Sequence, residues 1–161
     1  MAWICDALKR HEAIRGGALE VGALDVNGSP CWLFLDRRRF PWYVGVDMRP
    51  GPGVHAVALA NLLPIGSGAA GIIVCTEMLE HDERFWESLP EFRRALRPGG
   101  HLLVTTRGIH FPRHEFPADY WRFTAEGLRN VMAWSGFEVL EAEADAEDKA
   151  VFAIGRNGGA G

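Results

Sequence analysis

The stretch Gly17–Pro30 (GALEVGALDVNGSP) constrains the fold more than any other part of the chain. Ala18, Leu19 and Val21 read as a short strand buried on both faces, the pattern of a parallel sheet interior. Gly22 and Gly28 allow sharp turning and close approach of backbone to a ligand. Ser29 is a good helix N-cap, and Pro30 then takes the first helical position, where its missing N–H is no loss. A strand, a glycine turn and a helix start together predict free N–H groups beside the turn and a place for a small polar ligand. The full G-x-G-x-x-G pattern is absent, with Leu24 and Val26 where further glycines would stand, so a tight turn without a ligand fits this stretch equally well.

With 161 residues the chain is long enough for one domain with a sizeable core, and one domain over 1–161 is expected. A net charge of −4 gives no electrostatic case for nucleic acid or an anionic membrane surface. The single basic run, Arg37-Arg38-Arg39, is read as a solvated helix end. Cys5, Cys31 and Cys75 are odd in number and widely spaced, so neither a disulfide framework nor a metal site is expected, and a reduced, cytoplasmic setting fits. Asp6, Lys9 and Arg10 near the N-terminus argue against a secretory signal, and no apolar run reaches membrane-spanning length.

The periodicity predicts an N-terminal segment over 1–16 with a helix at Ala2–Ile14, a short helix from Pro30 to Arg38, and a second strand at Trp42–Val46 ending in Asp47. A third strand is expected over Val54–Leu59 and a fourth over Ile72–Thr76, running into Glu77–His81. The helix at Glu83–Leu96 carries Pro90, which predicts a kink or two abutting helices. Arg97–Gly100 reads as a turn into a fifth strand at His101–Thr106. Thr124 caps a further helix closed by Gly136. Phe137–Ala144 and Ala150–Gly155 read as an antiparallel hairpin, since no helix separates them, and Arg156–Gly161 as a frayed tail. Strands alternating with helices predict an α/β, doubly wound, mostly parallel sheet that binds ligands beyond its strands' carboxyl ends.

Three strand ends therefore carry the candidate chemistry. Asp47 tips the second strand, at roughly the distance from Gly22 where an acid accepts ribose hydroxyls; it is otherwise a plain turn aspartate. Glu20, inside an apolar strand, needs either a cationic ligand or a partner in the chain. His81 follows the fourth strand and is a candidate general base, or a histidine capping the next helix.

Leu19-Glu20-Val21-Gly22, Asp47, Leu63-Pro64, Val74–His81 and Leu96-Arg97-Pro98-Gly99-Gly100 occur in the order found in class I S-adenosylmethionine-dependent methyltransferases. The chain most resembles the "methyltransferase type 11" group, from about Gly17 to Gly155. The resemblance implies a Rossmann-like sheet of seven strands with an antiparallel last strand, and S-adenosyl-L-methionine as cofactor. It implies that Glu20 and Gly22 border the methionine moiety, that Ala23 and Gly28 also contact the cofactor, and that Asp47 holds the ribose. Met48 would then pack on adenine, with Ala60 nearby, while Thr76 and Glu77 line the sulfonium and Glu80 and His81 face the acceptor. Residues 107–123 are expected to form a lid presenting His110, His114, Tyr120 and Trp121.

The expected activity is methyl transfer to a small-molecule acceptor, with a homodimer through exposed tryptophan faces as a further expectation. Leu59 stands where relatives carry an acid facing the adenine amino group, which motivates a second reading as a cofactor-weak partner or scaffold subunit. Gly22 and Asp47 alone would also permit a nicotinamide-dependent oxidoreductase, against which the terminal hairpin and Glu77–His81 argue.

Overall fold

The computed structural model describes residues 2–26, 28–114 and 118–159. Asn27 in the glycine turn, and Phe116 and Pro117 in the expected lid, lie outside the described residues. The strands are β1 (Ala18–Val21), β2 (Tyr43–Asp47), β3 (Ala56–Val57), β4 (Ala70–Thr76), β5 (Leu96–Arg107), β6 (Phe137–Ala144) and β7 (Ala150–Asn157). They form one seven-stranded sheet in the order β3-β2-β1-β4-β5-β7-β6. Pairings from β3 through β5 are parallel, and β7 runs antiparallel to both β5 and β6. The expected doubly wound architecture and terminal hairpin are both present.

Alternation along β1 sorts the core into two layers. Leu19 and Val21 join Ile73, Cys75, Leu102 and Val104 on one face, covered by α2 (Phe85–Ala95) and α3 (Ala125–Trp134). Ala18 joins Ile72, Val74 and Leu103 on the other, beneath α1 (Ala2–Arg10) and a 3-10 helix at Pro30–Phe34. From Ala70 to Cys75, β4 is buried throughout, as expected of a strand with partners on both edges and helices over both faces.

Several boundaries differ from those the sequence predicts, each for a tertiary reason. Helix α1 stops at Arg10 instead of Ile14, and Arg39 caps carbonyls of its last turn and of the residues after it. Its guanidinium donates to Leu8 O (2.7 Å), His11 O (3.0 Å) and Ile14 O (2.8 Å). The last arginine of the basic run thus completes another helix's C-terminus and is not a solvated end. Pro30–Phe34 is a single 3-10 segment, with Ser29 Oγ accepting from Cys31 N at 3.1 Å. Strand β3 shrinks to two residues at the sheet edge, where short strands limit unwanted pairing.

Pro90 sits on the exposed side of one continuous helix, α2, anchored around it by buried Leu89 and Phe92, so two abutting helices do not form. Arg97–Gly100 bulges within β5: Leu96 pairs with Ala70, and pairing resumes at His101 with Ile72. Strand β7 runs two residues past Gly155. Asn157 donates there to Arg93 O (3.1 Å) and Leu96 O (2.8 Å), closing the end of α2, so this part of the tail is held and not frayed. Trp134 is 85% exposed and outside the core, while Trp3 stacks on Phe152 at 5.1 Å. Among the described residues no helix is long and apolar enough to cross a membrane.

The segment between β3 and β4 is fastened by an ion pair on α2. Glu91 accepts from Leu63 N (2.8 Å), and Arg94 donates to Ile65 O (2.9 Å) and back to Glu91 (2.7 Å). The bond from Arg94 holds the Glu91 carboxyl below its usual range, despite the opposing effect of burial. Arg94→Ala is expected to destabilise the fold by about 1–2 kcal/mol in chemical denaturation at neutral pH. A depressed folded-state pKa stabilises above the unfolded value of 4.5, so the wild type's advantage over this variant should shrink as pH falls below it.

Candidate functional site

The topology reverses direction between β1 and β4, and the carboxyl ends of β1, β2, β4 and β5 meet beside that switch. Backbone bonds from Gly22 N and Ala23 N to Val46 O fix the turn after β1 against β2. The carboxylate of Asp47 then bridges the two strand ends, Oδ2 accepting from Leu24 N (3.2 Å) and Oδ1 from Arg49 N (2.9 Å). Each carboxylate oxygen accepts one backbone bond and keeps lone-pair capacity for a further donor. Next to it Met48 is 53% exposed, as is Leu59 beyond β3, while Ala60 is half-buried against the core. A polar acceptor flanked by exposed apolar side chains suits a nucleoside.

Gly22 has φ +80, and a Cβ there would come within 2.8 Å of Met78 Cγ. The close approach at this glycine is therefore to a side chain of the segment after β4. Gly28 has φ +103 and donates to Asp25 Oδ1 (2.7 Å), so its role is to turn the chain. Val26 is exposed, and the Leu24 side chain lies against Gly51 in the loop after β2. Ala23 is buried between β2 and Gly53.

Glu20 is 2% exposed, and its partners belong to the chain. Ser29 Oγ–H donates to Oε2 at 3.0 Å, and the Tyr43 hydroxyl donates to the same oxygen. The register explains the second contact: Tyr43 pairs with Ala18, so Glu20 is its diagonal neighbour on the same face. Burial raises the Glu20 carboxyl, opposed by these two bonds, and burial with the neighbouring carboxylate raises the Tyr43 phenol. Neither bond uses Oε1.

A second polar cluster gathers at the ends of β4 and β5. Glu77 adopts φ +51, a left-handed conformation uncommon outside glycine. Its N–H donates to Thr105 O (2.8 Å), Oε1 accepts from Thr105 Oγ1 (2.6 Å), and Oε2 pairs with Arg107 Nε (2.6 Å). Arg107 also lies over the Phe111 ring, 3.9 Å from its centroid. Glu80 is fully buried, with Oε2 accepting from Thr106 Oγ1 at 2.7 Å. Burial, reinforced by the Glu77 carboxylate, pushes its pKa up to about 7.

His81 donates its Nδ1–H to Ala118 O and meets the His114 ring edge-on at 4.8 Å between centroids. His114 N donates to Asp119 Oδ2 (2.8 Å), and burial lowers the His114 ring pKa, with His81 adding to the effect. Asp119 is paired in turn with Arg122 (2.5 Å), which holds its carboxyl below the usual range.

The structure thus brings Glu80, His81, His114, Tyr120 and Trp121 together. Tyr120 N (2.8 Å) and Trp121 N (3.2 Å) both donate to Glu80 O. Trp121 packs on Phe85 and Trp86 and donates Nε1–H to Asp82 O (2.9 Å), so it belongs to the scaffold more than to a loose cover. His110 is not part of this group: it is exposed and held on the β6–β7 turn through Asp148 O and Glu147 O. Sequence reasoning missed Tyr43, Met78, Thr105, Thr106 and Arg107. The last three end β5, and the strand-end rule applied to that strand would have found them.

A family model described as "Methyltransferase domain" matches residues 37–104, less than half of the chain. No curated protein matches. Among solved structures, a chain of the complex between the Haloferax volcanii Trm112 methyltransferase activator and a methyltransferase superposes with TM-score 0.76 at 16% identity, covering 98% of this chain and 89% of that one. An S-adenosylmethionine-dependent methyltransferase from Mesorhizobium loti gives TM-score 0.71 at 14% identity, covering 94% and 96%. A Burkholderia thailandensis 1,6-didemethyltoxoflavin-N1-methyltransferase, solved with that compound and S-adenosylhomocysteine, gives 0.76 at 16%, covering 94% and 75%. The chain has the fold of the class I S-adenosylmethionine-dependent methyltransferases. Its segment 37–104 matches the methyltransferase-domain model, in line with the resemblance of Asp47, Leu63-Pro64, Val74–His81 and Leu96–Gly100, while Leu19–Gly22 lies outside the match.

Gly22→Ala should destabilise the protein by about 1–3 kcal/mol in urea unfolding, from the positive φ and the clash with Met78 together. Adding Met78→Ala should relieve only the part of the clash due to Cγ, because Met78 Cβ would still stand 2.9 Å from the new methyl group.

Proposed function

We propose that this chain binds S-adenosyl-L-methionine and transfers its methyl group to a small-molecule acceptor. The observation that carries the reading is Asp47, a carboxylate joining the ends of β1 and β2 with acceptor capacity left for a ribose diol. In this reading Met48, Leu59 and Ala60 border the adenine. Gly22, Ala23 and Gly28 shape the turn around the methionine end, where Glu20 Oε1 would accept from the ammonium group. Thr76 and Glu77 line the sulfonium side, with Glu77 fixed by Thr105 and Arg107.

The bound cofactor supplies a methyl group already activated on a sulfonium, so the protein's task is alignment and exclusion of water. Glu80 and His81 face the acceptor, with His114 and Tyr120 beside it and Trp121 anchoring their segment; the Nδ1–H bond to Ala118 O orients His81 so that, in the neutral ring, Nε2 is free to take an acceptor's proton. A net charge of −4 supports a small molecule over nucleic acid.

A second reading, as a partner subunit, is favoured by the apolar edge beside β3, where Val57, Leu59 and Leu62 are 58%, 53% and 73% exposed. The Haloferax structure is likewise a complex with an activator.

Calorimetric titration with S-adenosylhomocysteine should give saturable binding of one molecule per chain. Asp47→Ala should weaken it about 10- to 100-fold, the loss of one or two hydrogen bonds to a charged group. An absence of heat at millimolar ligand, or an unchanged affinity in a variant that still melts cooperatively, would overturn the reading.

A further inference from the structure

We propose that Glu80, His81 and His114 form a binding site for a divalent transition-metal cation of the zinc class. One carboxylate oxygen and one imidazole nitrogen from each histidine lie within 4.8 Å of one another. They come from two places: Glu80 and His81 from the short 3-10 turn after β4, His114 from the segment after β5. The fold, not local sequence, assembles them.

The second observation is an orphaned acceptor. Glu80 is 0% exposed, and its Oε1 has no hydrogen-bond partner, although Oε2 is satisfied by Thr106. A buried carboxylate oxygen left without a donor is costly. Its neighbours are His81 Nε2 at 3.9 Å and Arg107 Nε at 3.8 Å, both too far for a hydrogen bond. Because His81 donates Nδ1–H to a carbonyl, the lone pair of the neutral ring is on Nε2, 3.9 Å from this oxygen. Two acceptors facing each other across such a gap are held together by a cation between them. Ligand atoms around a tetrahedral zinc stand roughly 3.3 Å apart, as bond lengths of about 2.0–2.1 Å require, so a closure on the order of 1 Å completes the site.

The surroundings have the form of an outer shell. Ala118 O fixes the His81 ring, Thr106 fixes the carboxylate, and Asp119 lies 3.5 Å from His114 Nδ1 while held by Arg122. Two nitrogens and one oxygen favour zinc, cobalt or nickel over magnesium or calcium. Arg107 is the opposing charge, but its main partner is Glu77 at 2.6 Å and it rests on Phe111, so it need not depend on Glu80. Three protein ligands leave a fourth position for water or for a heteroatom of a bound molecule.

The test is a cobalt titration of the full chain after dialysis against a chelator, followed by visible absorption. One equivalent of Co²⁺ should give the intense bands of a tetrahedral site, and one equivalent of Zn²⁺ should abolish them. His114→Ala and Glu80→Gln should each weaken binding at least tenfold, and His110→Ala should leave it unchanged. His114 is partly exposed, so its variant remains informative even where the Glu80 variant fails to fold. Absence of tetrahedral bands, or cobalt binding that His114→Ala does not alter, would overturn the proposal. Titration with S-adenosylhomocysteine reads Asp47 and not this cluster, so cofactor binding and metal binding can fail separately; a bound cation would take the His81 Nε2 lone pair that otherwise serves as the acceptor's base.

Discussion

The parallel pairing of β1 with β4 is the constraint on which the rest of the molecule depends. Ala18 to Val21 lie in register with Ile72 to Cys75, and from that seam the chain order runs outward in opposite directions. Reversal at a seam opens a crevice above it, because the connections leaving the two strands cross to opposite sides. Both strands are buried on each face, so the seam is dry and its register is set by tight apolar packing. Asp47 on one flank, and Glu77 and Glu80 on the other, owe their positions to this register before any ligand is considered.

Polar groups near that seam divide into two kinds. Glu20 is met by two hydroxyls of the chain and serves to tie the turn after β1 to the sheet. Glu80 is met by one hydroxyl on one oxygen and by nothing within bonding range on the other. Both carboxyls are raised by burial, and of the two it is Glu80 whose fully buried second oxygen has no hydrogen bond. Structural polar groups in a core are normally satisfied, and an unsatisfied one draws attention as a place of chemistry.

Much of this was legible in the sequence. Apolar runs ending in Asp47 and in Thr76-Glu77 marked the strand ends, Ser29-Pro30 marked the start of a helical segment, and the absence of a helix between residues 144 and 150 gave the antiparallel hairpin. What was hidden depends on contacts between distant residues. No local pattern shows that Arg39 would stop α1, that Tyr43 would reach Glu20, or that Asn157 would close α2. The His81–His114 contact was hidden for the same reason, since a segment without regular structure carries no periodicity from which to project its path.

Strand β7 is the last in chain order, yet it lies between β5 and β6. During synthesis β5 therefore waits with an open outer edge, and β6 has nothing in the sheet to pair with, until residues 150–157 have emerged. Until then the outer edge of β5 is an unpaired strand edge in the nascent chain.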